Sequence, residues 1–345
     1  MSSNLNVAVI GCGYWGPNLV RNFNAAPNCT LKTLCDTNPD RLNAMKALYP
    51  HVQMESDYKQ VISNPDIHAI IIALPVHLHY PIAKAALEMG KHVLIEKPMT
   101  ASVAESTELV NLAKQKQLTL MVGHTFIYSA PVRKIKEIVD SGDLGDIIYM
   151  SSRRLNLGLF QKDINVAWDL APHDLAIMLY ILQSDAQSVN CTGVDAANIS
   201  DKIEAITNLS VNFKNGVFAN IQSSWLDPNK VRDMTFVGTK KMLVFNDIEQ
   251  FEKIKIYDKG VDMPPAGYST FADFVFAYRN GDMYSPSLKM VEPLKLEAQH
   301  FLDCIRSGAK PETSGEEGLK VVQILEASSL SLKQNGAQVV INNTL

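Results

Sequence analysis

The chain has 345 residues, 46% hydrophobic and 20% charged, with a formal net charge of −4 from 32 basic and 36 acidic residues. That balance excludes disordered, collagen-like and coiled-coil classes, and a mildly acidic chain without a basic stripe argues against nucleic acid or an anionic membrane as partner. No apolar run approaches the roughly 20 residues of a spanning helix.

The length fits about two domains. The start, Met-Ser-Ser-Asn-Leu-Asn, lacks the basic start and apolar core of a signal peptide. Cys12, Cys29, Cys35, Cys191 and Cys304 are scattered with no C-x-x-C pair. The expectation is a cytoplasmic protein with reduced thiols.

From residue 5 to about 122, short apolar runs alternate with helical patterns. Strands are predicted at 5–10, 30–35, 68–74, 92–95 and 118–122, and helices at 18–24, 40–48, 81–88 and 103–116. Near-continuous apolar strands separated by helices indicate a parallel, doubly wound sheet. After about 124 the texture changes. Helices are predicted at 131–140 and 169–182, a strand from 147, and closely spaced strands at 188–194, 206–213, 217–225, 234–237, 242–245 and 254–257. Lys214-Asn215-Gly216 and Gly238-Thr239-Lys240 read as hairpin turns. Helices at 292–307 and 316–334 close the chain, and 259–288 takes no assignment. The expected organisation is an N-terminal Rossmann domain over 1–124 and an α+β domain over 125–345 with an open-faced, mostly antiparallel sheet.

The first strand runs into Gly11-Cys12-Gly13-Tyr14-Trp15-Gly16, a G-x-G-x-x-G loop that opens a helix. Gly11 permits the tight turn, Gly13 lets backbone approach a pyrophosphate, and Gly16 lets helix and strand pack closely. The helix N-terminus offers N–H groups to an anion, and Pro17 suits the first helical turn. The second strand ends at Asp36, twenty residues after Gly16. An acid there accepts hydrogen bonds from the adenine ribose and repels a 2′-phosphate, which favours NAD over NADP. Arg41 is a candidate to stack on adenine or a solvated helix-face residue.

Two further signals carry chemistry. Strand 92–95 leads into Glu96-Lys97-Pro98, which puts charge at the carboxyl edge of the sheet, where ligands bind in this architecture. Asp169 and His173 stand at i, i+4 on one face of an otherwise apolar helix. The bland alternatives are a solvated strand-end lysine, an Asp169 helix cap with Pro172 in the first turn, and a core histidine.

Together these features resemble the glucose–fructose oxidoreductase / inositol dehydrogenase / MocA family of NAD(P)-dependent oxidoreductases. The resemblance rests on the glycine loop, Leu74-Pro75-Val76-His77-Leu78-His79, Glu96-Lys97-Pro98, Asp169-x-x-x-His173 and the C-terminal Glu292-Pro293-Leu294 helix. It implies a catalytic lysine at Lys97 and an Asp/His pair at Asp169 and His173. It also implies cofactor contacts from Gly11, Gly13, Tyr14, Trp15, Gly16, Asp36, Arg41, Leu74, Pro75, His79, Glu96 and Lys97, and a homodimer or homotetramer through the second sheet. No metal site is expected; His77-x-His79 has no carboxylate or cysteine grouped with it.

The reaction implied is hydride transfer between the nicotinamide and a secondary alcohol of a sugar-like ring. An ordinary histidine titrates near pH 6.5, so neutral imidazole is available as a base. Lys97 would stabilise charge on the reacting oxygen, with Asp169 offsetting positive charge. Lys97 and His173 would titrate together, which leaves the formal base open. Arg153, Arg154, Asn156, Asn165 and Trp168 are substrate candidates, with His124, Trp225 and Arg232 weaker ones. The nearest flavour is a nucleotide-sugar 3-dehydrogenase or ketoreductase of surface-glycan biosynthesis. A free-sugar or inositol dehydrogenase, an NAD-dependent glycosidase and a dinucleotide-sensing regulator are the alternatives.

Overall fold

The computed structural model describes residues 4–158, 160–161, 163–195, 203–262 and 277–342. Its contacts divide the chain into two compact units, one of residues 4–129 and 290–326, the other of 130–289 and 327–342.

In the first unit, β1 (Leu5–Ile10), β2 (Cys29–Cys35), β3 (Gln53–Glu55), β4 (Ala69–Ile72), β5 (His92–Glu96) and β6 (Leu120–Gly123) form a parallel sheet in the order β3-β2-β1-β4-β5-β6. The apolar runs predicted as strands are buried on both faces: Ala69 to Ile72 have no exposure. Helices α1 (Gly16–Ala25), α2 (Pro39–Leu48), α3 (Tyr58–Ser63), α4 (His79–Glu88) and α5 (Val103–Lys116) connect them. Local chemistry sets the ends of α5. The Ser102 side chain accepts from the Glu105 amide, the Glu105 carboxylate takes the Ala101 amide, and Gln117 turns into the left-handed region. β3 and α3 escape the sequence reading because three and six residues are too few for periodicity to register.

The first unit also takes α8 (Pro293–Ser307) and the start of α9 (Gly315–Lys333). The sequence expectation assigned both helices to the second domain. Contact geometry groups α8 with the first sheet's helices, because Phe301 meets Phe23 of α1 edge to face at 6.3 Å, and Arg21 and Asn22 bind Glu292 at its N-terminus.

The second unit begins with α6 (Ala130–Asp140) and β7 (Ile147–Leu157), then α7 (Val166–Leu182). β8 (Ala186–Asp195), β9 (Glu204–Phe213), β10 (Phe218–Ser224), β11 (Leu226–Gly238), β12 (Met242–Asn246), β13 (Ile254–Asp262), β14 (Ala277–Tyr284) and β15 (Val339–Val340) complete a sheet in the order β14-β13-β12-β11-β7-β10-β9-β8-β15. Its described ladders are antiparallel except β7 with β10. β9 alternates buried and open positions along its length, as a sheet covered on one face requires. α7 packs on β7, β9 and β10. The stretch left unassigned by sequence supplies the end of β13 and all of β14, and residues 263–276 of it lie outside the described residues.

Candidate active site

The glycine loop is built as the motif requires. Gly11 has φ of +104°, and a Cβ there would sit 2.1 Å from the Ala73 carbonyl; a Cβ on Gly16 would sit 2.1 Å from the Gly11 carbonyl. Neither position tolerates a side chain. At Gly13 a Cβ would meet only the Arg41 guanidinium, at 3.6 Å, so the second glycine leaves its backbone approachable. Asp36 directly follows β2 and is almost fully buried, accepting the Cys12 amide at 2.7 Å and the Asn38 amide at 2.8 Å. Arg41 stands 3.6 Å from its Oδ2. A carboxylate has about four acceptor sites, so both oxygens retain capacity for ribose hydroxyls. This cradle fits a dinucleotide: Gly11, Gly13 and Gly16 for the pyrophosphate, Asp36 and Arg41 for the adenosine end. Tyr14 is 93% exposed beside it.

At the ends of β5 and β6 the structure gathers charge. Glu96 pairs in register with Gly123, where a Cβ would come within 3.0 Å of its carboxylate. The Lys97 amide and the Trp15 indole both donate to Glu96. Burial nevertheless raises its pKa to about 7, against the opposing effect of Lys97. The Lys97–Pro98 peptide is cis. His124, one residue past β6, is buried, and neither ring nitrogen has a hydrogen-bond partner among the described residues. Burial first, then the Lys97 charge, pushes it down to about 3, so this imidazole is neutral. His79 is buried with its ring nitrogens 2.7 Å from the Leu74 carbonyl and 2.9 Å from that of Pro98. It ties the Leu74-Pro75 turn to the Glu96-Lys97-Pro98 turn.

In the second unit, α7 begins at Val166, three residues before the predicted start. Asn165 is the cap, its side chain accepting the Trp168 amide at 3.2 Å and donating to Glu204 at 3.0 Å. Asp169 is therefore not the cap, and Pro172 lies inside the helix. Asp169 accepts the Trp225 indole N–H at 3.0 Å. His173 follows one turn later, and the next residue, Asp174, is buried and takes Arg154 bidentately with both contacts at 3.0 Å.

The substrate candidates scatter. Arg153 and Arg154 lie within β7 rather than after it and face opposite sides; Arg153 is exposed and bound to Asp233 at 3.0 Å, whereas Arg154 is 5% exposed. Asn156 is half-buried near the end of the same strand. The Trp168 indole donates to Ser329 at 2.8 Å. Arg232 stands 3.7 Å from Asp247.

Sequence reasoning missed Glu297. It is wholly buried in α8, accepts the Thr125 hydroxyl at 2.9 Å, and lies near enough to Glu96 to feel its charge. The signal was present, since Leu294, Glu297, Ala298, Phe301 and Leu302 follow a helical stripe that buries the glutamate. Among the described residues no group of three or more His, Cys, Asp or Glu is placed to hold a metal ion, and no helix is long and apolar enough to cross a membrane.

Parallel strand order, glycine loop and acid at the end of β2 define a dinucleotide-binding oxidoreductase of Rossmann type. Comparison with known families makes this specific. Residues 5–124 match the oxidoreductase family with NAD-binding Rossmann fold, GFO_IDH_MocA, and residues 132–244 match the GFO/IDH/MocA C-terminal domain. The chain belongs to the GFO/IDH/MocA family of NAD(P)-dependent oxidoreductases. It is 25% identical to levoglucosan dehydrogenase of Pseudarthrobacter phenanthrenivorans, over 94% of this chain and 95% of that one. Over 43% of each chain it is 30% identical to dTDP-3,4-didehydro-2,6-dideoxy-alpha-D-glucose 3-reductase of Streptomyces violaceoruber. The structure of UDP-N-acetylglucosamine 3-dehydrogenase from Acidithiobacillus ferrooxidans shares the fold, with a TM-score of 0.79 and 21% identity over 96% of this chain and 98% of that one.

Proposed function

We propose that this chain uses NAD to oxidise a secondary hydroxyl of a sugar ring, or to reduce the matching ketone, with nucleotide-linked sugars as the foremost substrate class and surface-glycan biosynthesis as the setting. The observation that carries the reading is the carboxyl edge of the first sheet, where Lys97 stands beside a glutamate and a histidine that burial drives toward neutrality. A lysine at that edge suits stabilising negative charge on a reacting oxygen.

Held by the Gly11–Gly16 loop and Asp36, NAD would supply the hydride acceptor for oxidation of the sugar carbon and, reduced, the donor for the reverse. In this reading Lys97 donates a hydrogen bond to the reacting oxygen. His173 takes the hydroxyl proton in oxidation and returns it in reduction, and Asp169 offsets the positive charge that results. NAD is preferred because the buried Asp36 carboxylate accepts ribose hydroxyls and repels a 2′-phosphate. Support for a nucleotide-sugar comes from the 3-reductase relative. The relative that acts on levoglucosan favours a second reading, a free anhydro- or monosaccharide.

The test is absorbance of the reduced cofactor after residual cofactor is exchanged out. Purified protein receives NAD with UDP- and dTDP-sugars, their uronic acids, free hexoses, anhydrosugars and inositols. Turnover of one nucleotide-sugar is the expected result, and turnover confined to free sugars would replace the first reading by the second. Lys97→Ala should abolish turnover while NAD still binds; normal turnover in that variant would overturn the assignment.

A further inference from the structure

We propose that Trp225 is a positioning residue for Asp169, its indole N–H fixing the plane of that carboxylate at the start of α7. The inference rests on the reading of Asp169 given above and adds the residue that aims it. Trp225 is 1% exposed and is the largest of the fully buried side chains. It follows β10, and its backbone is tied on both sides: its amide donates to the Ala205 carbonyl at 3.0 Å, and its carbonyl accepts the Gly158 amide at 3.0 Å. Its ring lies in a cluster with Val166 and Ala205, flanked by Phe160, Leu170 and Ile203. The Phe160 ring meets it edge-on at 5.6 Å.

The remaining edge is closed by the absence of a side chain. A Cβ on Gly158 would lie 2.7 Å from Cδ1 of the indole. The ring therefore has no room to swing, and its single polar atom is set by packing. That atom is a donor only, and it meets Oδ2 of Asp169 at 3.0 Å. Three segments distant in sequence, the end of β7, the start of β9 and the end of β10, thus hold one rigid donor against one carboxylate. Fixing Oδ2 fixes the direction of Oδ1 as well. Partners that orient metal-ligating side chains carry about ten- to a hundredfold in affinity or activity, and a donor that aims a reacting carboxylate acts by the same geometric control.

The experiment has a spectroscopic arm and a kinetic arm. Protein labelled with 15N carries three indole N–H groups, those of Trp15, Trp168 and Trp225, and the resonance retained in both Trp15→Phe and Trp168→Phe identifies the third. Asp169→Asn is expected to shift that resonance, since a carboxylate acceptor becomes a neutral amide; an unmoved resonance overturns the proposal. In the kinetic arm, on whichever panel sugar reduces NAD, Trp225→Phe should lower kcat by about ten- to a hundredfold, with KM for the sugar and Kd for NAD held within about twofold. Gly158→Ala is a second route should Trp225→Phe fail to fold. It keeps every donor but displaces the ring, so it should shift the Trp225 resonance and lower kcat in the same pattern. Wild-type kcat in the folded variants beside an inactive Asp169→Asn would remove the positioning role and leave the reading of the site standing. Full activity of Asp169→Asn would remove both.

Discussion

Single buried carboxyl groups set the electrostatics of the first unit. Asp36 directly follows β2 and accepts hydrogen bonds from two backbone amides. Asp36→Asn keeps an acceptor and removes the charge. A hydrogen bond to a charged group is worth about 1.5–3 kcal/mol, so NADH affinity should fall about tenfold or more while NADPH affinity falls less or rises; fluorescence titration with both cofactors reads the ratio, and an unchanged ratio would contradict the role of Asp36. Glu297 is a buried carboxyl group of another kind. Burial, then the nearby Glu96, raises its pKa well above the ordinary carboxylate value, with only the Thr125 hydroxyl opposing. The folded state holds a proton that the unfolded chain releases above about pH 4.5, so this group destabilises the fold as pH rises from there. Glu96, pushed up to about 7, adds the same trend across pH 4.5 to 7. Glu297→Gln mimics the neutral acid. Its melting temperature should match wild type near pH 5 and exceed it at pH 8; a variant less stable than wild type at pH 8 would refute the buried neutral glutamate. Asp36 was legible because its spacing from the glycine loop has a chemical meaning. Glu297 was passed over because 201 residues separate it from Glu96, whose charge it feels, and a polar residue on an apolar stripe does not name its partner.

At the scale of elements, α7 shows what periodicity can and cannot reveal. Its apolar residues announce a buried helix, and Asp169 and His173 stand out against them. Its start was misread because Val166, Ala167 and Trp168 bear no capping signal, while Asn165, the true cap, was weighed as a substrate ligand. The arginine pair was equally opaque. Arg153 and Arg154 are adjacent in sequence, but strand alternation sends one to solvent and the other beneath α7. Only the sheet decides which is which. The Arg154–Asp174 pair is buried on both sides, at 6% and 2% side-chain exposure. Removing one partner strands the other charge in the interior, at a cost of about 3–5 kcal/mol. Arg154→Leu should therefore lower the urea midpoint sharply. The double variant Arg154→Leu, Asp174→Leu should recover much of the loss, because no unpaired charge then remains. A single variant as stable as wild type would show that the pair does not secure α7 to β7.

Across the whole molecule, the first sheet was legible almost strand by strand, because every strand but the three-residue β3 is mostly apolar and lies between helices. The second sheet was legible as a class but not in extent. β11 runs from Leu226, whereas its next residues, Asp227-Pro228-Asn229-Lys230, gave no strand signal, and the ladder with β7 shifts register there. Register also exposes a feature that no single strand carries. Phe218, Tyr149, Val237, Met242, Tyr257 and Met283 are successive partners across β10, β7, β11, β12, β13 and β14. They form one row on the face opposite α7. Tyr149 and Phe218 stack at 5.9 Å, Phe218 is 38% exposed and Met283 51%. The neighbouring row, Asn220, Ser151, Thr235, Val244 and Lys255, is mostly polar. An apolar stripe six strands wide beside a mostly polar row marks a contact surface. We propose that a second copy of this chain covers it, as the family resemblance implies. Light scattering on the eluting protein should give a multiple of 38.2 kDa, and Tyr149→Glu with Met242→Glu should return it to one chain with its circular dichroism unchanged. A wild-type protein that elutes as one chain at micromolar concentration would sink the proposal, and a multimer indifferent to both charges would move the interface to another face.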